Sequence, residues 1–265
     1  MFVCTLGIYA FGIAAAFVGG FIDSIAGGGG LVTMPALLLS GVPPHMALGC
    51  NKVSACLGTL TALGNFARSG LVHWRVAMTG VAFALLGSWA GSQLALHLNP
   101  DILGKILVVL LPVGMCAVLL PHKAQRPSLP AVAPLAFTGV RFWIPVALVC
   151  LLIGSYDGFF GPGTGSFLIL ALHWALRMGL MEASATAKVL NLASNFSGTL
   201  VFICGGVVFW PLALSMAAAC CLGNWLGSRM AIRIGPTVVR RFLTVSLSLL
   251  LLTLVWQHFL APLLH

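Results

Sequence analysis

Apolar residues run along this chain in long blocks, and the polar positions that interrupt them are few and grouped. Long runs carry no charged side chain, among them Met1–Ile22, Val76–Pro100, Val189–Ser228 and Phe242–His265. Each is at least as long as the roughly 20 residues with which a helix crosses the hydrocarbon of a bilayer. The period-two alternation that a membrane barrel needs is missing. The pattern predicts five helical segments in each half of the chain. They span roughly 4–24, 30–41, 46–66, 75–97 and 102–120, then 141–157, 164–177, 184–203, 209–231 and 240–261. The second segment of each set, 30–41 and 164–177, is short and follows a glycine-rich break. Such a segment is a half-helix or a steeply interrupted span.

The two sets are related. At a shift of 136, Lys52 falls on Lys188, Gly70 on Gly206, Trp74 on Trp210 and Pro100 on Pro236. The string Gly87-Ser-Trp-Ala-Gly91-Ser92 falls on Gly223-Asn-Trp-Leu-Gly227-Ser228. At a shift of 134, Gly20, Asp23, Gly27 and Gly29 meet Gly154, Asp157, Gly161 and Gly163. Matched Trp and Gly at fixed spacing are not a product of apolar composition, so the chain is a tandem repeat. Residues 1–120 form the first repeat and 140–265 the second, with 121–139 a linker that opens with the proline-rich stretch Pro121–Pro130.

Composition agrees with a bilayer. Apolar residues make up 60% and charged residues 6%, with mean hydropathy +1.09; a water-soluble domain carries about 25% charged residues. The net charge of +9 would suggest nucleic acid in a soluble protein, but it reads better as topogenic charge on cytoplasmic loops. Five crossings per half would insert the halves in opposite senses. One side then holds Arg68, Arg75, Lys123, Arg126, Arg141, Arg177, Arg229, Arg233, Arg240 and Arg241, and the other only Lys105. That asymmetry places the linker in the cytoplasm and both termini in the periplasm. The first residues lack a basic stretch, so no cleaved signal is expected. The expected fold is an all-α integral membrane protein of two inverted repeats of about five segments each, with glycine-rich breaks. A Gly-interrupted inverted repeat is the sequence mark of a secondary transporter.

The breaks are Asp23-Ser-Ile-Ala-Gly-Gly-Gly-Gly30 and Asp157-Gly-Phe-Phe-Gly-Pro-Gly-Thr-Gly165. Non-helical backbone at membrane depth survives only where it is buried in protein or lines a cavity. The segments that follow would begin with free N–H groups and a positive dipole end, which suits an anion. A nucleotide loop is excluded because no Lys-Ser/Thr follows the glycines. Eight cysteines without a C-x-x-C pair and seven histidines without metal spacing leave no metal or cofactor expected.

The strings GGFIDSIAGGGGLVTMPALLLSGVP (19–43), NKVSA (51–55), SGLVHW (69–74), GFFGPGTGSFL (158–168) and ATAKVLNLASN (185–195) resemble the TauE/SafE family of sulfite and organosulfonate exporters, through both repeats. The resemblance implies a bacterial inner-membrane transporter of small sulfur-containing anions.

Lys52 and Lys188 are the basic residues well inside predicted segments, the others lying in loops or close to a segment end. An intramembrane charge is expensive and is a functional hypothesis by default. Three readings stand: a charge that attracts the substrate, an ion pair with Asp23 or Asp157, or snorkelling to a nearby interface. Asp23 and Asp157 can carry a coupling proton or bridge to lysine. Asn51, Asn191 and Asn195 can donate to anion oxygens, as can Thr164 and Ser166. Gly28, Gly29, Gly30, Gly163 and Gly165 would supply backbone N–H groups. The expected mechanism is alternating access, with a small anion as substrate, a proton or sodium ion as coupling partner, and no nucleic acid. Rivals are an anion channel on the same breaks and a membrane-embedded enzyme; no G-x-S-x-G, H-E-x-x-H or carboxylate cluster supports the enzyme.

Overall fold

In the computed structural model, residues 6–107, 109 and 140–237 are described, and among them every regular element is a helix. The first half contributes α1 (Leu6–Ala26), α2 (Gly30–Leu39), α3 (Pro44–Arg68) and α4 (Trp74–His97). The second contributes α5 (Val140–Phe159), α6 (Thr164–Ala175), α7 (Leu180–Cys204) and α8 (Trp210–Ile234). Residues 100–107 open a further helical stretch. Most of the predicted segment 102–120, the linker, and segment 240–261 lie outside the described residues.

Local chemistry moves several boundaries outward from the predicted ones. Helix α3 starts at Pro44 because proline suits the first helical turn, where its missing N–H would have no partner. Helix α7 gains a first turn at Leu180, where the Gly179 N–H donates to Glu182 Oε2 at 3.3 Å. At 10 and 12 residues, α2 and α6 are about 15 and 18 Å long, half the thickness of a bilayer core.

The halves exchange partners. Helix α1 packs on α8 and α4 on α5, so each half's first helix lies against the other half's fourth. Glycine makes both contacts. A side chain at Gly223 would strike the Phe17 carbonyl, and one at the equivalent Gly87 would strike the Leu151 carbonyl. Gly20 faces the Cys220 carbonyl at 2.5 Å from an ideal Cβ, and its counterpart Gly154 faces Ala84 at 2.8 Å. These are the small-residue faces that let helices approach in lipid. The apolar clusters repeat as well: Ala16, Met34 and Leu212 in one correspond to Cys150, Leu168 and Val76 in the other.

Helices α3 and α7 lie side by side and antiparallel. The start of α3 meets the loop after α7, with the Cys50 thiol donating to the Phe209 carbonyl at 3.5 Å. The start of α7 meets the loop after α3, with the His73 N–H donating to Thr186 Oγ1 at 3.0 Å. The bundle thus has two ends. Arg68, Arg75, Arg177, Arg229 and Arg233 border one, at the starts of α4 and α7 and the ends of α3 and α8. Asp101 and Lys105 border the other, beyond α4.

Polarity is arranged inside out. Lys52, Lys188, Asp157, Asn191, Asn195 and Asn224 are buried, while Leu86, Trp89, Leu152, Phe196, Trp210, Leu214 and Leu222 face outward. An apolar exterior around a polar interior suits lipid as the solvent. Helices α1 and α7 are each long and apolar enough to cross a membrane by length and composition.

Candidate functional site

Two chain breaks cross in the interior. Helix α1 ends where Gly27 takes φ +78°, and α5 is followed by Gly161 and Gly163 at +92° and +86°. A side chain at Gly27 would strike the backbone of Gly165, and one at Gly30 would come within 2.9 Å of the Pro162 Cα. Glycine is required because backbone meets backbone, in addition to the left-handed φ. From this crossing α2 leads to the end bordered by Asp101 and Lys105, and α6 leads to the arginine end. Half-helices of about 15 and 18 Å that diverge from one crossing put the crossing near mid-depth of a bilayer.

The expected free donors of the second break are used internally. The Ser166 N–H donates to the Gly27 carbonyl at 3.2 Å and its hydroxyl to the Ala26 carbonyl at 2.6 Å. The Thr164 hydroxyl donates to the Gly161 carbonyl at 2.7 Å. The reason is the crossing itself, since the first break supplies carbonyl acceptors to the start of α6. Tyr156, missed by the motif reading, braces the second break through a 2.7 Å bond from its hydroxyl to the Pro162 carbonyl.

Beside the crossing stand two ion pairs. Lys52 Nζ lies 2.8 Å from Asp157 Oδ2, and Lys188 Nζ lies 2.9 Å from Asp23 Oδ2. Each lysine belongs to one half and its carboxylate to the other. Lys188 also donates to the Asp23 backbone carbonyl, and Lys52 donates to Asn195 Oδ1 at 3.2 Å. Asn195 Nδ2 continues to Asn191 Oδ1 at 3.0 Å. Both lysines are 1% exposed, which removes the snorkelling reading. The reason is depth: with α3 and α7 starting at Pro44 and Leu180, each lysine sits more than two turns into its helix. Because the helices are antiparallel, the pairs flank the crossing toward opposite ends. They are unequal, for Asp157 is 2% exposed and Asp23 16%. The Asp157 Oδ2 atom accepts no directional hydrogen bond despite its nearness to the ammonium.

Other predicted residues are placed elsewhere. Asn51 turns from Lys52 and accepts from the Thr33 hydroxyl at 2.6 Å, tying α3 to α2. Gly29 packs on α1, where a Cβ would stand 2.7 Å from the Gly19 carbonyl and 2.8 Å from Asp23 Cβ. Gly28 lies against Leu31, Ile22 and Ser166 side chains. Asn224, buried between α1, α3 and α8, was passed over within its packing motif. Its position where the first repeat has Ser88 was the available signal.

The model of the sulfite exporter TauE/SafE family matches residues 12–254. The chain belongs to the TauE/SafE family. Among its relatives is a "Probable membrane transporter protein" of Haemophilus influenzae, 37% identical over 248 residues, covering 92% of this chain and 94% of the relative. The "Probable membrane transporter protein YfcA" of Escherichia coli K12 is 34% identical over 252 residues, covering 94% and 90%. "ORF9" of a Sinorhizobium species, printed with the same transporter description, is 37% identical over 239 residues, covering 90% and 88%. No solved structure matches the chain. TauE/SafE membership makes this a multi-pass membrane protein of a transporter family, and the crossed breaks with their two ion pairs are its candidate transport centre.

Proposed function

We propose that this TauE/SafE protein is a secondary transporter that exports small sulfur-containing anions, such as sulfite or organosulfonates, across the bacterial inner membrane by alternating access. Residues 1–120 and 140–265 are then inverted repeats, joined by a cytoplasmic linker at 121–139, with both termini periplasmic. The observation that carries this reading is the exchange of ion-pair partners between halves, Lys52 with Asp157 and Lys188 with Asp23. An ammonium held by a carboxylate is an anion site with its anion built in. Neutralising the aspartate with a proton or a sodium ion frees the ammonium for a substrate anion. When the breaks part, the amides of Asn191 and Asn195, the hydroxyls of Thr164 and Ser166, and the N–H groups of Gly28–Gly30, Gly163 and Gly165 become further donors. Asn51 supports the site through α2. Each half-helix N-terminus favours negative charge at the same place.

Flux into proteoliposomes tests the proposal, with sulfite, an organosulfonate, sulfate and chloride offered under imposed pH gradients. Saturable movement of sulfite or the sulfonate, well above chloride, is expected. Equal, non-saturating flux of all four anions would instead describe a channel and overturn carrier action.

A further inference from the structure

A basic cleft lies at the arginine end. Between the last turns of α3 and α8 opens a cleft of about 410 Å³, lined by Asn65, Arg68, Ser69, Arg229, Ile232 and Arg233. Arg229 and Arg233 are four residues apart, so they share one face of α8, and Arg68 comes from the facing end of α3. The walls are fixed to one another: Asn65 Nδ2 donates to Ser228 Oγ at 2.8 Å and to the Trp225 carbonyl at 3.3 Å. The Arg229 guanidinium is itself held, stacked 4.0 Å above the Trp225 ring. A cation–π contact does not use up the guanidinium's five N–H donors, which stay available to a ligand.

Among the described residues no carboxylate neutralises these charges. The chain's four carboxylate side chains are Asp23, Asp101, Asp157 and Glu182. The first and third hold lysines, and Glu182 lies 3.2 Å from His73 Nε2. Asp101 stands at the opposite end of α4 from the arginines. Three cations in one depression, with no counter-ion among the described residues, call for an anion from outside, and guanidinium groups match the oxygen edges of phosphate and sulfate.

We infer that the Arg68–Arg229–Arg233 cleft binds a tetrahedral oxyanion, distinct from the two buried ion pairs. The source is either the phosphate of an anionic phospholipid or a free oxyanion such as sulfate, and the same chemistry serves both.

The test uses the full chain in nanodiscs of phosphatidylcholine alone or with phosphatidylglycerol. Sulfate is titrated against sodium chloride of equal ionic strength, with the rise in melting temperature as readout. Native mass spectrometry reads retained phosphatidylglycerol. Saturable stabilisation by sulfate in the neutral discs assigns a free-anion site. Selective retention of phosphatidylglycerol, with sulfate no longer titrating, assigns a lipid site. In either case Arg229→Gln combined with Arg233→Gln should weaken the effect at least tenfold. Lys105→Gln, which removes an exposed charge away from the cleft, should leave it unchanged. Equal behaviour of the double variant and the native protein in both arms overturns the inference. Because binding and not transport is read, failure here leaves the transport proposal standing, and the reverse holds too.

Discussion

At the scale of single residues, the ion pairs dictate how their own test must be built. Removing one partner of a buried pair leaves an uncompensated charge, at a general cost of about 3–5 kcal/mol, whereas neutralising both is close to neutral. Lys52→Met alone should therefore lower yield and melting temperature, since Asp157 is 2% exposed. Adding Asp157→Asn should restore folding but not transport. Melting temperature and proteoliposome flux on the two variants separate the effects, and native flux in the folded double variant would remove Lys52 from the substrate path. The Lys188–Asp23 pair should show the milder stability loss, because Asp23 reaches the surface in part. All four residues were legible in the sequence as charges at repeat-equivalent positions. An ion pair with Asp23 or Asp157 was among the readings, but which aspartate serves which lysine was not legible, because pairing crosses between halves and spacing within one repeat carries no record of it. Asn51 illustrates the converse: adjacency to Lys52 in sequence did not bring it to the ion pair, as successive helical positions face different neighbours.

At the scale of elements, two kinds of glycine should separate on substitution. Gly91 sits where a side chain would strike the Ser155 carbonyl, between backbones of α4 and α5 that cannot yield independently. Gly91→Leu should force those helices apart and abolish the folded protein. Gly163 caps α6 at φ +86°, where the penalty for an L-residue is conformational, about 1–2 kcal/mol. Gly163→Leu should cost at least that, since the position is buried, and Gly163→Asn less, because Asn is smaller and enters the left-handed region more readily. Melting temperatures in one detergent check the order Gly163→Asn, Gly163→Leu, Gly91→Leu; a Gly91→Leu protein as stable as native would refute the close-packed contact. The sequence disclosed the helices and the short second segments well, since runs of glycine and proline end helices by local chemistry. It did not disclose that the breaks meet. Gly30 and Gly165 looked like backbone free to approach an anion, yet in this conformation their freedom serves an approach of chain to chain.

At the scale of the whole molecule, charge and packing make one prediction together. The contacts of α3 with α7 define two ends, and Arg68, Arg75, Arg177, Arg229 and Arg233 gather at one of them although they come from both halves. That asymmetry was legible as a count over predicted loops; the exchange of α1 and α5 between halves, which makes the two repeats a single body, was not. Basic residues are retained on the cytoplasmic side during insertion. The arginine end should therefore face the cytoplasm, and the loop at Gly205–Phe209, at the start of α8, should face the periplasm. Single cysteines in a cysteine-depleted chain can be tested in intact cells with an impermeant thiol reagent. Ser69→Cys and Ser128→Cys should react only after the membrane is opened, while Gly206→Cys, on an exposed turn, should react from outside. Labelling of Gly206→Cys alone would show that α7 and α8 are joined in the periplasm. Protection of Ser69→Cys in the same cells would show that α3 and α4 are joined in the cytoplasm. Since Gly206 is the repeat counterpart of Gly70, the residue after Ser69, opposite reactivity at these two loops is what oppositely inserted halves require. Labelling of both from the same side would refute the inversion, and with it the placement of the two ion pairs toward opposite faces of the membrane.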